Sequence, residues 1–166
     1  MMRVESKSVP NALASFEAVL CDANHAIAVA VPLLVQVRRG PMTIRDLDEI
    51  ERRVREVRAR LAPGQRIGLV AVLEEGVPVP GEEVRLRQRR LISAMIEGLD
   101  ARIAAIVVGA GIGPMLHRTI ARGVLFANPR VKIGHTAEEA AAWVAPHLGA
   151  SPADVTAVVQ RTRALR

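Results

Sequence analysis

Three glycines at alternate positions, Gly109, Gly111 and Gly113, follow the apolar run Arg102-Ile103-Ala104-Ala105-Ile106-Val107-Val108 and precede Pro114. A glycine turn between a strand and a helix is an arrangement that can cradle phosphate, because backbone N–H groups and the helix N-terminus point at the anion. The spacing is G-x-G-x-G and not the G-x-G-x-x-G of dinucleotide sites, and Pro114 removes one donor. No acid ends a following strand about 20 residues on. Tight turning and close packing account better for these glycines.

Paired acids are the next chemical candidates. Glu74/Glu75, Glu82/Glu83 and Glu138/Glu139 could serve general acid–base work. Members of each pair are adjacent in sequence, so on a helix they diverge. Solvated faces and helix N-terminal charges explain them more simply. His25, His117, His135 and His147 are dispersed, without an i, i+4 pair or a nearby Cys partner, so no metal is expected. Cys21 is the single cysteine and reads as a small buried residue rather than a nucleophile. No G-x-S-x-G elbow occurs. The residues supply no nucleophile–base set, and the expectation is a non-enzymatic protein without a cofactor.

Arg85, Arg87, Arg89 and Arg90 form the densest charge cluster. Its two readings are an acidic or phosphate-bearing partner surface and a solvated helix face. Nucleic acid is not expected, because no aromatic lies nearby for stacking. The net charge is +6, and among the bases only Lys7 and Lys132 are lysine. Such a balance speaks to solubility and non-specific binding, not to fold.

The elements that must position these residues follow from periodicity. At 166 residues and 50% apolar, the chain is long enough for one domain with a sizeable core. That core is aliphatic, since Phe16, Phe126 and Trp143 are the only aromatics. Residues 1–14 read as a loose lead-in, and 16–21 as an edge strand. Segments 26–31 and 33–37 are strand-like around Pro32, which demands a bulge, a strand end or an edge position. One bent strand and two short ones both remain open. Thr43 and Asp46 resemble a capping box before an amphipathic helix carrying Ile44, Leu47, Ile50, Val54, Val57 and Leu61. The outer face of that helix offers the pairs Asp48–Arg52, Glu49–Arg53, Glu51–Arg55 and Glu56–Arg60, worth about 0.2–0.5 kcal/mol each. Such a face ordinarily meets water.

A strand over 66–73, a loop over 74–81 and a helix over 82–99 come next. In that helix Val84, Leu91, Ile92, Met95 and Leu99 share a face, with Arg85, Arg89 and Ser93 on the other side. Residues 102–108 read as a central strand buried on both faces, followed by a helix with Pro114 first. Its apolar residues are Met115, Leu116, Ile120, Val124 and Leu125. A very short strand at 131–133 precedes a helix with a Thr136/Glu139 capping box. A last helix begins at Ser151-Pro152, and its apolar set Val155, Val158 and Val159 suits marginal packing. The apolar stretch 26–37 is well short of the roughly 20 residues needed to span a bilayer, and a cytoplasmic protein without a transmembrane segment is expected.

This ordered set resembles the SpoIIAA-like branch of the STAS superfamily, in particular STAS-like proteins of soil and marine bacteria. The resemblance covers 16–148. It rests on Arg39-Gly40-Pro41-Met42-Thr43, the strand at 68–73, Glu83-Val84-Arg85, Ile106-Val107-Val108-Gly109-Ala110-Gly111-Ile112, Arg118, and Ala140-Ala141-Ala142-Trp143-Val144. Together with the alternation of elements it gives an α/β domain over 15–149, with a single mixed sheet of four or five strands and helices packed mainly on one side, and the residues after it read as a C-terminal helix over 150–166 packed on that domain.

The resemblance also implies a protein–protein interaction module in regulation or assembly. In the best-known members a partner kinase phosphorylates a Ser in the loop after the third strand. The corresponding loop, 74–81, has no Ser or Thr, and the next hydroxyl is Ser93, well inside the following helix. The phosphoswitch is therefore not carried over. Fixed acids at Glu74, Glu75, Glu82 and Glu83 would hold one binding state. The expected partner surface comprises these acids, Arg85, Arg89 and the turn Gly109, Gly111 and Gly113, facing another protein with an acidic surface; a homodimer is left open. The alternative is a small-molecule or lipid-binding domain, as in the similar CRAL-TRIO domains. An enclosed apolar cavity of roughly a few hundred Å3 favours the ligand, and an exposed patch without one favours the partner.

Overall fold

A computed structural model describes residues 12–125 and 128–166. Most of the 1–14 lead-in lies outside the described residues, as do Phe126 and the side chains of Ile120, Val124 and Leu125. Eleven elements follow in the order that the alternation predicts. They are β1 (Glu17–Cys21), β2 (His25–Ala30), β3 (Leu33–Arg38), α1 (Ile44–Ala59), β4 (Gly68–Leu73), α2 (Glu82–Leu99), β5 (Arg102–Val107), α3 (Ile112–Leu125), β6 (Val131–Gly134), α4 (Ala137–Leu148) and α5 (Pro152–Ala164).

The sheet has six strands in the order β1-β2-β3-β4-β5-β6, against the four or five expected. Pro32 accounts for part of the difference. It sits in the turn between β2 and β3, its peptide bond with Val31 cis, so 26–37 is an antiparallel hairpin rather than one bent strand. β1 pairs antiparallel with β2, and β3 through β6 are parallel, so the sheet is mixed. The 102–108 run lies one strand in from the β6 edge, and the central strands are β3 and β4. Every residue of β3 is buried.

Helices cover both faces of the sheet, which corrects the one-sided expectation. On one face Ile27, Val29, Leu34, Leu69 and Ile103 meet Leu47, Ile50, Val54 and Val57 of α1 and Leu91 and Met95 of α2. On the other, Leu33, Val35, Val37, Val70, Val72, Ala104 and Ile106 meet Ala140, Ala141, Val144 and Leu148 of α4 and Val155 and Val159 of α5. Right-handed crossovers keep α1 and α2 together, because strands β3 to β5 advance in one direction. α4 and α5 follow the last strand and fold back over the opposite face, which is apolar and needs cover of its own. Val155, Val159 and Thr162 of α5 are fully buried, so this helix belongs to the core and not to its margin.

Local details refine the sequence reading. The Thr43/Asp46 capping box is complete. At α4 only half a box forms: Thr136 accepts from the Glu139 N–H, but the Glu139 carboxylate accepts from the His135 N–H at 3.0 Å instead. α3 begins at Ile112, so Pro114 is its third residue, still within the first turn where a missing N–H is tolerated. Met115 and Leu116 are exposed. Cys21 is exposed on edge strand β1, and its thiol donates to the Arg166 carbonyl at 3.1 Å, which corrects the buried placement. On α1, Glu49–Arg53 and Glu51–Arg55 form as expected. Asp48 instead pairs with Arg87 of α2, Arg52 pairs with Glu49 and Glu56, and Arg60 reaches Glu17 on β1. This face therefore ties α1 to its neighbours.

Gly68 marks the closest approach of α4 to the sheet. A Cβ there would lie 2.7 Å from a Val144 methyl and 3.0 Å from a Leu148 methyl. Gly98, in α2, has open space around the same position. Gly68→Ala is expected to lose about 1–3 kcal/mol through overpacking. Gly98→Ala should gain about 0.5–1 kcal/mol from helix propensity. Urea unfolding of the two variants checks both signs.

Candidate functional site

The parallel register places three rows of side chains across β3, β4 and β5 on the face under α1 and α2. Leu34, Leu69 and Ile103 form the first row, Gln36, Ala71 and Ala105 the second, and Arg38, Leu73 and Val107 the third. Large side chains in the first and third rows flank two alanines in the middle. The alanines leave a recess, and both are partly accessible although they sit inside the sheet. Their neighbours on the opposite face, Val70, Val72, Ala104 and Ile106, are buried.

The recess holds about 100 Å3. Ile50 of α1 and Leu91, Ile92 and Met95 of α2 roof it, and Val77 and Pro80 of the 74–81 loop close one side. A second crevice of about 300 Å3 shares Leu73, Val77, Val107 and His117 with it and extends past Glu75 and Gly76 toward Gly113 and Pro114. Both lie at the carboxyl ends of the parallel strands, where open α/β sheets characteristically place ligands.

The walls are apolar apart from Gln36, Arg38, Arg85, Gln88 and His117. Arg38 is 1% exposed. Its Nη2 donates to Asp46 at 2.8 Å and to the Pro41 carbonyl, whereas Nε and Nη1 are buried with no hydrogen-bond partner among the described residues. Asp46 also accepts from the Thr43 N–H and hydroxyl, each at 2.8 Å. Burial alone would raise its pKa, but the hydrogen bonds from Arg38 and Thr43 prevail and hold the carboxyl below the ordinary Asp value. His25 lies beside this pair on β2, fully buried, with Nε2 3.3 Å from the Gln36 amide oxygen and Nδ1 3.7 Å from Asp46. Its pKa is lowered to about 4, first by burial and then by the Arg38 charge, against the pull of Asp46 and Asp22. On α3, His117 Nε2 lies 2.5 Å from the Val77 carbonyl, tying the 74–81 loop to that helix.

The residues singled out from the sequence divide among different places. Arg85 is half-buried in the recess wall, not on an exposed helix side. Arg87 is held by Asp48 and Glu51 of α1. Arg89 and Arg90 are exposed, so the arginine cluster is not one surface. Glu74 is gripped by Arg163 of α5 through Nε at 2.6 Å and Nη2 at 3.0 Å. Glu75 is exposed and lies against Gly109, where a Cβ would meet it at 3.2 Å; φ there is +100°. Gly111 and Gly113 have open space around them, and Arg118 donates to the Val107 and Gly109 carbonyls. Glu82 and Glu83 are exposed in the first turn of α2. The structure thus brings Glu74, Glu75, Gly109 and Gly113 to one end of the sheet and leaves Glu82, Glu83 and Arg89 outside the recess.

From the sequence His25 and His117 were weighed only as metal ligands, and Gln36, Arg38, Ala71 and Ala105 were not singled out. One signal was present: in Leu-Leu-Val-Gln-Val-Arg, polar residues alternate inside a run whose composition requires burial. Compared with protein families, curated proteins and solved structures, the chain matches none.

The burial of neutral His25 has a pH consequence. Below about 6.5 the unfolded chain binds a proton at this residue that the folded chain refuses, so stability is lost as pH falls from about 6.5 toward 4. Replacing it by His25→Gln is expected to remove about 2 kcal/mol of the loss between pH 6.5 and pH 5. His147, also lowered to about 4, contributes alike in both proteins. Urea unfolding at the two pH values checks this, and equal pH slopes for the two proteins would show that the folded histidine takes up the proton.

Proposed function

We propose that the chain is a non-enzymatic binding domain that holds a small, mainly apolar molecule in the recess over Ala71 and Ala105. The observation that carries this reading is the recess itself, with two accessible alanines in the middle of a sheet face whose apolar residues are otherwise Leu, Ile and Val. Its volume is smaller than the roughly 150 Å3 at which an apolar cavity is known to hold benzene, and the adjoining crevice adds space. The recess alone is below the roughly few hundred Å3 expected of an enclosed ligand cavity, so the ligand reading is supported by the accessible alanines and the adjoining crevice rather than by volume. The likeness to the STAS superfamily and to CRAL-TRIO domains belongs to the proposal, and the ligand-holding habit of the latter is the part that has a counterpart in these residues.

A protein–protein role is the second reading. Leu86, Met115 and Leu116 are large and exposed, at 43%, 58% and 46%, and support it. The two readings separate by variant, because filling the recess leaves those three residues untouched.

Benzene is a suitable neutral probe. Titrated into methyl-labelled protein, it is expected to shift the methyl resonances of Leu69, Leu91 and Ile103 saturably. Ala71→Leu and Ala105→Leu should abolish the shifts while the protein stays folded. Shifts that are absent in the unaltered protein, or that survive in both variants, count against the recess as a binding site.

A further inference from the structure

We propose that the recess takes an amphipathic organic anion, a carboxylate on a short apolar chain, with its head group at Arg38 and Arg85. The inference rests on the recess being a binding site and adds the chemical class of what it binds.

The first support is the state of Arg38. A guanidinium carries its charge at any accessible pH, and burying it demands acceptors for its N–H groups. Only Nη2 has them. Nε and Nη1 are buried at the recess wall and unpartnered among the described residues. Asp46 meets Arg38 through Oδ2 alone, the oxygen that also accepts from the Thr43 N–H and hydroxyl, and makes no hydrogen bond to Nε or Nη1.

The second support is the balance of charge. The recess lining includes two guanidiniums, Arg38 and Arg85, and no carboxylate. Asp46 neutralises one of them. Among the described residues no carboxylate forms an ion pair with Arg85. Of the two loop acids that line the adjoining crevice, Glu74 is committed to Arg163 and Glu75 is exposed. His25 is uncharged at neutral pH and adds nothing to either side. An anion therefore meets an uncompensated positive wall, a cation meets repulsion, and a neutral ligand leaves the Arg38 donors without acceptors.

The third support is direction. Along β3 to β5 the row with Arg38 lies at the carboxyl end, and the row of Leu34, Leu69 and Ile103 lies about 13 Å deeper, four residues along each strand. A chain entering from the carboxyl end puts its tail over Ala71 and Ala105, against Leu91 and Met95, and leaves its head beside Arg38. Arginine–carboxylate hydrogen bonds are among the stronger neutral-pH contacts, which suits a small ligand with little apolar area.

Calorimetric titration at neutral pH tests this with straight-chain alkanoates from butanoate to decanoate, the matched alkanols and the matched alkylammonium ions. The best alkanoate is expected to bind about tenfold tighter than the alkanol of equal length, with the alkylammonium weakest, and Arg38→Met should bring alkanoate and alkanol to within about threefold. Ala71→Leu should weaken alkanoate and alkanol together. Should Arg38→Met not fold, Arg85→Met supplies the second variant: it should lose alkanoate affinity and keep alkanol affinity. An alkanol that binds the unaltered protein as tightly as its alkanoate, and is lost in Ala71→Leu, overturns the anion and leaves the recess standing. Absence of binding by both series overturns the recess and the anion with it.

Discussion

A charged guanidinium inside an apolar layer is the constraint on which much of this structure depends. Arg38 ends β3, one of the two central strands of the sheet, and its side chain is almost wholly buried. Leaving such a charge without a counterion typically costs about 3–5 kcal/mol. Asp46 supplies the counterion, and Asp46 is the N3 residue of α1. One carboxylate thus neutralises the strand end, caps the helix and fixes where α1 starts relative to β3. That contact anchors the start of α1 over the sheet, and the burial of Leu47, Ile50, Val54 and Val57 fixes the rest of the helix.

A sheet covered on both faces asks for apolar residues at nearly every position, and that is how β2, β3 and β5 read. The exceptions then carry information. Gln36 and Arg38 stand on one face of β3, and the same face of β4 and β5 carries Ala71 and Ala105 where branched aliphatics are the rule. Polar groups and missing volume coincide on that face alone. On the opposite face α4 packs so closely on the sheet that Gly68 has no room for a methyl group.

Much of the architecture was legible in the sequence because helices and strands repeat with different periods, and α1 and β4 show theirs clearly. The caps at Thr43 and Ser151 also placed helix starts well. What was not legible is what depends on pairing across the sheet. Whether Pro32 bends a strand or ends one is decided by the partner of Leu33, which is Ala30. Which face α4 and α5 take is decided by which face the crossovers leave bare. The recess is the extreme case. Ala71 and Ala105 stand 34 positions apart and are unremarkable alone, and only the parallel register makes them neighbours. Arg85, read as surface from its helical position, faces inward because α2 lies over that gap.

The acidic 74–81 loop shows the same dependence from the other side. Its lack of a hydroxyl invited the thought of a permanently charged substitute for a phosphate. The contacts give Glu74 a different task. It pairs with Arg163 at the end of α5, a helix packed on the face away from the recess. His117 meets the carbonyl of Val77 from α3, and the Val77 side chain is buried between them as part of the recess wall. The loop is thus stapled from both faces of the sheet, and the acid at position 74 is explained by the arginine it holds. Arg39, just past β3, reinforces the arrangement by donating to the carbonyls of Arg163 and Leu165, which holds the end of α5 beside the loop. The C-terminal helix therefore shapes the recess without touching it, by fixing the loop that forms its side.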